Sequence, residues 1–199
     1  MPSSKSLVKT KLPTKRGKFD MYAYQSEFSD FPHIVLINGT VNPLEVQTIR
    51  IHSECMTGDV FSSLRCDCGE QLDYAMNWFG MHGGVLLYMR QEGRGIGIVN
   101  KMHAYNLQDK GHNTKVANEM LGFHQDGRNY DEAIEILRDL GVKKIRLMTN
   151  NPNKINGFEN SEIQITERLP IEMQPHDGNE QYLKTKKDEM GHIFNSIKL

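Results

Sequence analysis

All three cysteines of this chain lie in one short stretch, CMTGDVFSSLRCDC, which spans residues 55–68. Cys55 opens the stretch, and Cys66 and Cys68 close it with only Asp67 between them. The N-terminus carries positive charge but no apolar run of signal-peptide length, so we expect a cytoplasmic protein. In such a protein an odd, clustered set of thiols indicates metal binding rather than disulfides. The stretch therefore predicts a metal site, and zinc is the ion that we expect.

Three thiols fit a zinc site with an open position. Structural zinc sites usually have four protein ligands, whereas catalytic sites have three and leave the fourth position to water. His52 is a candidate fourth ligand that would close the site, and three ordinary buried cysteines are a further alternative. Three thiolates give the zinc centre a net charge of about −1, which raises the pKa of its water above that of a three-imidazole site. A nearby acid or base, or the substrate, is then needed to form hydroxide.

The composition is that of a soluble protein with one domain. The chain has 199 residues, of which 38% are hydrophobic and 25% are charged. We therefore expect a single compact domain over residues 1–199, with a frayed N-terminus over residues 1–10. The longest apolar run, residues 84–89, is too short to span a bilayer. A net charge of −1 argues against general polyanion binding, so a phosphate site must use local arginines and lysines.

The apolar pattern predicts an α/β fold with some α+β character. Short antiparallel strands are predicted over residues 19–24, 33–38 and 45–52, where β-branched and aromatic residues alternate with turn formers. Further strands are predicted over residues 84–90, 143–149 and 162–168. Helices are predicted from Cys68 to the Gly83-Gly84 pair, from Ile96 onward, briefly after Pro152, and over residues 115–121, 130–140 and 179–194. We expect a mixed sheet in which short N-terminal antiparallel strands are followed by βα units.

The segment EGRGIG, residues 92–97, connects a predicted strand to a predicted helix. Its spacing matches neither a Walker A motif nor a dinucleotide-binding fingerprint. Its glycines nonetheless expose backbone N–H groups before a helix N-terminus, and Arg90 and Arg94 can each bind phosphate oxygens through two N–H groups. A plain connecting turn is the alternative.

Three further basic residues lie beside predicted strand ends and turns: Arg50, Arg65 and Lys154. Together they could help to neutralise the roughly four negative charges of a triphosphate. Isolated arginines and lysines are, however, more often solvated surface charges.

Four residues have both a chemical and an ordinary interpretation. Glu92 has a carboxylate suited to the N1 and N2 donors of a guanine, or it is an exposed turn carboxylate. Asp126 and Arg128 lie in LGFHQDGRNY, where a helix-start Asp and a surface Arg are the ordinary interpretation. Tyr105 follows Met102 on one helix face, so periodicity alone predicts a core aromatic.

Several long motifs together resemble the GTP cyclohydrolase II family. They are RIHSECMTGDVFSSLRCDCGEQL, GGVLLYMRQEGRGIGIVNKMHAYNLQDKG, ANEMLGF with the following Asp126 and Arg128, and IRLMTNNPNK. The resemblance covers residues 11–192, nearly the whole chain. It implies hydrolytic opening of the imidazole ring of GTP, with release of formate and pyrophosphate, to give the diaminopyrimidinone ribosyl phosphate that begins riboflavin synthesis. It further implies a homodimer, and a monofunctional enzyme is expected because the chain has no room for the second domain of fused family members.

The resemblance also implies roles for individual residues. The zinc ligands would be Cys55, Cys66 and Cys68. In the family mechanism Asp126 is a proton acceptor, Arg128 is a nucleophile toward the α-phosphate, and Tyr105 takes part in hydrolytic ring opening. Because the pKa of a guanidinium exceeds ~12, electrostatic stabilisation of the leaving phosphate by Arg128 has at least equal weight. The implied nucleotide contacts are Arg50, Ile51, His52, Ser53, Glu54, Gln71, Glu92, Gly93, Arg94, Thr114, Thr149 and Lys154, and Mg2+ is expected with the nucleotide.

Four residues, at three places in the chain, depart from the family pattern. Asn113 stands where the family usually has Asp, Lys115-Val116 replaces a Val-Glu pair, and Ser62 occupies a usual glycine. None of these positions is a proposed zinc ligand or catalytic residue.

Two other functions remain alternatives. His52-Ser53-Glu54 supplies the H-x-E half of a zinc-dependent nucleotide deaminase, but the thiols are spaced C-x-C rather than C-x-x-C. A non-catalytic GTP-binding zinc protein would have the same residues without turnover. Release of formate from GTP distinguishes a cyclohydrolase from both.

Overall fold

The computed structural model describes residues 6–123 and 127–197, apart from the side chains of Thr114 and Lys115. Its seven strands are β1 (Ser6–Thr14), β2 (Gly17–Tyr24), β3 (His33–Asn38), β4 (Val46–Ser53), β5 (Gly84–Met89), β6 (Lys144–Met148) and β7 (Gln164–Leu169). They form one sheet in the order β1-β2-β3-β5-β4-β6-β7. The pairs β1–β2, β2–β3 and β3–β5 are antiparallel, whereas β4–β6 and β6–β7 are parallel. The predicted mixed sheet, and with it the α/β class, is confirmed.

The N-terminal strands form an antiparallel edge of this sheet. Alternate residues of β3 are buried, which is the period-2 pattern of a strand with one covered face. Most of β1 is exposed, and Lys9 and Lys11 pair with Asp20 of β2. Residues 6–10, where the sequence predicts a frayed start, form the first half of β1, whereas residues 1–5 lie outside the described residues. An exposed, lysine-bearing edge strand has little apolar periodicity, which is why its sequence does not indicate a strand.

The direction in which β4 pairs with β6 differs from the prediction. The sequence groups residues 45–52 with the antiparallel strands, but β4 lies between β5 and β6 and pairs parallel with β6. The antiparallel prediction is wrong for this pair, because a residue pattern indicates a strand without indicating the direction of its neighbour. From position 47 to position 52 every residue of β4 is buried, as expected for a central strand covered on both faces.

Seven helices and one 3-10 turn accompany the sheet in the described part of the chain. The helices are α1 (Met56–Asp59), α2 (Cys68–His82), α3 (Gly97–Gln108), α4 (Thr114–Met120), α5 (Asp131–Asp139), α6 (Pro152–Asn156) and α7 (Glu180–Asp188), and the 3-10 turn is Glu92–Gly95. All except α1 lie where the sequence predicts a helix, although α7 is shorter than predicted. A segment as short as α1 has too few residues for apolar periodicity to reveal it.

The core lies against the sheet and is closed by α5. Ala133, Ile136 and Leu137 of this helix are fully buried and belong to one apolar cluster with Ile145 and Leu147 of β6. The apolar residues recur at helical spacing, so one face of α5 packs inward, while Asp131, Arg138 and Asp139 are exposed and Glu132 is buried. This packing fixes β6 and its neighbour β4, whose carboxyl ends carry predicted nucleotide-binding residues.

The chain divides into two compact units. The first, here called the sheet unit, comprises Met1–His52, Leu72–Arg90 and Asn129–Ile171. The second, here called the cysteine unit, comprises Ser53–Gln71, Gln91–Arg128 and Glu172–Leu199. The expectation of a single domain over residues 1–199 stays a prediction. Among the described residues, no helix combines the length and the apolarity that crossing a membrane requires.

Candidate metal centre and active site

The three cysteines converge in the cysteine unit. Cys55 directly precedes α1, Cys66 lies two residues before α2, and Cys68 is the first residue of α2. Their sulfur atoms all lie within 4.8 Å of one another, and the Sγ atoms of Cys55 and Cys66 are 3.7 Å apart. Tetrahedral zinc with Zn–S bonds of about 2.3 Å requires sulfurs roughly 3.8 Å apart. The cluster therefore fits a metal ion, and the predicted convergence of the three thiols is confirmed.

The donor set also fits a cation chemically. Hydrogen bonds from the Cys66 and Cys68 thiols, together with the Lys101 ammonium, hold the pKa of Cys55 far below its usual range. Hydrogen bonding to Cys55 raises the pKa of Cys66 to about 11. Hydrogen bonding to Cys55 and Cys66, together with burial, raises the pKa of Cys68. Because adjacent thiolates repel, all three can be charged together only when a cation compensates them. Among the described residues, the group consists of these three cysteines, and a fourth ligand from His52 stays an alternative.

Two glycines bring α1 against the start of α2. A Cβ on Gly69 would lie 2.3 Å from the carbonyl oxygen of Gly58, and a Cβ on Gly58 would lie 3.0 Å from the Sγ of Cys66. Neither distance leaves room for a side chain, because the first neighbour is backbone and the second is a sulfur of the cysteine cluster. The close approach of these two glycines is what places Cys66 and Cys68 beside α1.

We expect Gly69→Ala to lower the free energy of unfolding by about 1–3 kcal/mol and to weaken metal binding, because the new methyl group must push α1 away. Urea denaturation and the metal content of the purified protein measure the two effects. Glu70→Ala is the matched control, since Glu70 is the exposed next residue of the same helix turn and its change should stay within about 0.5 kcal/mol. Equal stability of the two variants would contradict the close contact.

Ser62 lies in the loop between α1 and Cys66 and has a φ of 53°, the left-handed region. Side chains cost roughly 1–2 kcal/mol there, whereas glycine adopts the region freely. This conformation gives a physical reason for the glycine that the family usually has at this position.

We expect Ser62→Gly to raise the free energy of unfolding by about 0.5–1 kcal/mol, the relief of strain being partly offset by the greater freedom of glycine in the unfolded chain. Urea denaturation measures the change. Ser63→Gly, at the next residue, which is not among those with a positive φ, should destabilise instead. Destabilisation by both substitutions would argue against strain at Ser62.

Lys101 of α3 contacts the cluster directly and was missed in the sequence. Its Nζ donates to the Sγ of Cys55 over 3.1 Å and to Oε1 of Glu92 over 2.8 Å. Burial lowers the pKa of Lys101, but the Cys55 thiolate and Glu92 outweigh this effect and raise it. An ammonium group therefore offsets part of the negative charge of the thiols. The signal that could have revealed it is its position four residues before Tyr105, on the same helix face.

Glu92 is held within the cysteine unit rather than exposed. Besides Lys101, its carboxylate accepts hydrogen bonds from the backbone N–H of Met56, over 2.6 Å, and of Gly93, over 2.8 Å. Gly93 and Arg94 both have φ values near 60°, so the 3-10 turn contains two consecutive left-handed residues. The interpretation of Glu92 as an exposed turn carboxylate is therefore wrong, whereas its contact with guanine stays a prediction.

Tyr105 reaches the cysteine cluster through one threonine. Its hydroxyl lies 3.2 Å from Oγ1 of Thr57, which in turn lies 3.7 Å from the Sγ of Cys55. The Arg65 guanidinium lies over the Tyr105 ring, 4.8 Å from its centroid. Burial raises the pKa of Tyr105, so its hydroxyl keeps its proton at neutral pH. Because Tyr105 is only half-buried, it is not the core aromatic that periodicity suggests.

Arg128 belongs to the same unit. Its Nη1 donates to Oγ of Ser53 over 3.4 Å, and that hydroxyl donates to Oε1 of Gln91 over 3.4 Å. The backbone N–H of Gly127 donates to the carbonyl oxygen of Arg94 over 3.3 Å. Asp126, the predicted proton acceptor, lies outside the described residues.

The other predicted residues of this unit lie at helix ends. Gln71, in the first turn of α2, donates through Nε2 to Oδ2 of Asp67 over 2.6 Å. Glu54 directly precedes Cys55, and Thr114 is the first residue of α4, although its side chain is not described. Asn113 caps α4 by accepting from the backbone N–H of Val116, a role that Asn and Asp fill equally well.

The sheet unit brings together four of its five predicted nucleotide-binding residues. Nη1 of Arg50 donates to the carbonyl oxygen of Met148 over 3.0 Å, and Nζ of Lys154 donates to that of Ile51 over 2.7 Å. Thr149 accepts from the backbone N–H of Asn151 through Oγ1. These residues meet at the carboxyl ends of β4 and β6, where parallel strands commonly bind ligands.

The basic residues of this group are not solvated surface charges, because Arg50 and Lys154 are both 5% exposed. His52, the fifth predicted residue, is 2% exposed and stacks on Tyr88 with ring centroids 5.5 Å apart. Stacking and burial give His52 a packing role within the sheet unit.

Comparisons with known proteins agree with this geometry. Residues 5–170 match the model of the family described as GTP cyclohydrolase II. The chain is 50% identical over 188 residues to the riboflavin biosynthesis protein RibBA of Chlorobium phaeovibrioides, covering 94% of this chain and 46% of that protein. It is 48% identical over 193 residues to the GTP cyclohydrolase-2 of Shewanella frigidimarina, covering 96% of each. The chain thus spans about half the length of the RibBA relatives and nearly all of the shorter relative.

Similar solved structures include the two-domain 3,4-dihydroxy-2-butanone 4-phosphate synthase RibBX of A. baumannii. The match has a TM-score of 0.47 and 21% identity and covers 85% of this chain and 41% of that one. Such a similarity is too low to carry an argument. The family match and the sequence relatives do not favour the deaminase alternative. The family model matches residues 5–170, and one relative is matched along nearly its whole length. The chain therefore belongs to the GTP cyclohydrolase II family.

Proposed function

We propose that this protein hydrolyses GTP, opening its imidazole ring with release of formate and pyrophosphate, to give the diaminopyrimidinone ribosyl phosphate that begins riboflavin synthesis. The observation that carries the proposal is the cluster of three thiols, whose sulfurs lie within 4.8 Å of one another and close to a tyrosine hydroxyl. Membership of the GTP cyclohydrolase II family supports the same chemistry. The Shewanella relative, which is named GTP cyclohydrolase-2, is matched along nearly its whole length.

The metal that we propose is zinc, held by Cys55, Cys66 and Cys68. Thiolates select soft or borderline ions, and a set of three protein ligands is typical of catalytic zinc. When bound, zinc would supply a Lewis acid that activates water for attack on the purine. Mg2+ is proposed as the counterion of the nucleotide phosphates. A cytoplasmic homodimer is also part of the proposal, supported by the riboflavin biosynthesis relatives for the location and by family resemblance for the dimer.

Tyr105, Lys101 and Thr57 carry the proposed proton chemistry of the cysteine unit. The Tyr105 hydroxyl keeps its proton at neutral pH because burial raises its pKa, so it can donate that proton to a developing anion. Thr57 holds this hydroxyl at 3.2 Å. Lys101 supplies the positive charge that three thiolates require, at 3.1 Å from Cys55.

Arg128 is proposed to stabilise the charge on the leaving phosphate. An arginine keeps its guanidinium charged at neutral pH, which is the form that electrostatic stabilisation needs, and Nη1 of Arg128 donates to Oγ of Ser53. The nucleophilic role implied by the family requires a neutral guanidine, and Asp126 would have to accept its proton. Trapping a phosphorylated guanidine on Arg128 during turnover would decide for the nucleophile. The predicted nucleotide contacts of both units stay predictions.

The proposal predicts one formate and one pyrophosphate for each GTP consumed by zinc-loaded protein with Mg2+. Formate assay, pyrophosphate assay and mass spectrometry of the pyrimidine product measure the reaction. Removal of the metal with a chelator should abolish formate release, and added Zn2+ should restore it. Binding of GTP without formate at any concentration would leave the non-catalytic GTP-binding protein as the better description, and ammonia release without formate would indicate a deaminase.

A further inference from the structure

Asp67 lies between two metal-binding cysteines and is fully buried. Its Oδ1 accepts a hydrogen bond from Nζ of Lys186 over 2.6 Å, and its Oδ2 accepts one from Nε2 of Gln71 over 2.6 Å. Asp67 is 0% exposed and Lys186 is 8% exposed. A carboxylate in this position adds negative charge beside the thiols of Cys66 and Cys68, so burying it requires a cation.

The cation comes from α7, which presents one buried face and one exposed face. Leu183, Thr185 and Lys186 are buried, whereas Lys184 pairs with Glu180 on the surface. Burial lowers the pKa of Lys186, but Asp67 outweighs this effect and raises it, so the group stays charged. A lysine side chain is rarely buried to this extent unless its ammonium group has a partner.

Lys186 is held in place from its own helix. Its Nζ lies over the ring of Tyr182, 4.4 Å from the centroid, and the backbone carbonyl of Lys186 accepts from the N–H of His192. The ring face attracts the ammonium and its bulk excludes water from the ion pair. The Lys186 side chain therefore has little freedom to leave Asp67.

The segment that carries α7 is fixed to the cysteine unit at both ends. Before the helix, a Cβ on Gly178 would lie 2.7 Å from the carbonyl oxygen of Leu64, two residues before Cys66. After the helix, Oε1 of Glu189 accepts from Nδ2 of Asn113 over 3.0 Å. An Asp at position 113 would place a second carboxylate beside Glu189, and the two negative charges would repel. This repulsion is a physical reason for an Asn at this position of the chain.

We infer that Lys186 is a positioning residue of the metal centre, which acts through Asp67 to hold the Cys66-Asp67-Cys68 segment with both thiols toward the metal. The inference rests on the proposed function in that the metal is the zinc proposed above. Removing one member of a buried ion pair leaves the other charge unpaired, and this is far more costly than removing both. The unpaired Asp67 would turn toward water and draw the two neighbouring thiols with it.

The test compares Lys186→Met with the matched control Lys184→Met, which removes an equal charge from the exposed face of the same helix. Metal release is followed with a chromogenic chelator after loading with Zn2+, and thiolate geometry is followed in the absorption spectrum of the Co2+ form. We expect Lys186→Met to release zinc at least tenfold faster than the wild type and to change the Co2+ spectrum. Lys184→Met should differ from the wild type by less than twofold.

A second variant separates positioning from a general loss of folding. In Asp67→Asn/Lys186→Met no buried charge is left unpaired, so zinc release should return most of the way to the wild-type rate. Equal release rates for the wild type and Lys186→Met would overturn the inference, and so would a double variant that releases zinc as fast as Lys186→Met. A wild-type protein that retains no zinc would instead contradict the proposed function, so the two failures are distinguishable.

Discussion

Cys66→Ser should lose its metal and its release of formate together. The Sγ of Cys66 lies 3.7 Å from that of Cys55, and both belong to the group of three sulfurs within 4.8 Å. A serine hydroxyl keeps its proton at neutral pH and is a poor ligand for zinc, so two thiols alone would have to hold the ion. Since Lewis-acid catalysis contributes several kcal/mol, we expect formate release to fall by at least about a thousandfold.

Elemental analysis and a formate assay on the same preparation measure the two losses. Val60→Ser is the matched control, because it introduces a serine into the same loop at a residue that is 65% exposed. This control should keep its metal and most of its activity. Full metal content in Cys66→Ser would show that Cys66 is not a ligand, and loss of activity with the metal retained would place its role elsewhere.

The convergence of the three cysteines could be predicted from the sequence because it depends on few alternatives. The chain has only three thiols, and two of them are separated by a single residue. Such a cluster is typical of a metal site, so the sequence predicts that the three side chains lie together. The strands and helices were also predictable, because α5 and β3 show the periods of a helix and a strand with one buried face. Local patterns of this kind are sufficient for identifying elements.

The direction of β4 and the partners of the cysteine cluster could not be predicted in this way. The pairing of β4 with β6 joins segments nearly a hundred residues apart, and nothing in either segment states which way its neighbour runs. Lys186 looks like one of several lysines in a charged helix, and only the fold brings it to Asp67. Lys101 likewise becomes a partner of Cys55 only through tertiary contact. Residues that act through other side chains are hard to identify from a sequence, because their partners become neighbours only in the folded protein.

Tyr105 is the residue at which the ordinary and the chemical interpretation differ most. Periodicity on α3 favours a core aromatic, whose loss would unfold the protein. In the structure the ring is half-buried, the Arg65 guanidinium and the Lys101 ammonium lie over it, and its hydroxyl contacts Thr57. Removing that hydroxyl leaves the ring and its contacts with the two cations in place.

We therefore expect Tyr105→Phe to release formate about a hundredfold more slowly, the usual contribution of one proton-transferring group, while keeping its fold, its metal and its affinity for GTP. Formate assay, elemental analysis and GTP titration measure these properties separately. Tyr74→Phe, on α2 and 44% exposed, is the control for loss of a tyrosine hydroxyl and should match the wild type. Unfolding of Tyr105→Phe would support the core-aromatic interpretation instead. An unchanged rate of formate release would remove the hydroxyl from the chemistry, leaving Thr57 and Lys101 as the polar groups beside Cys55 to be tested next.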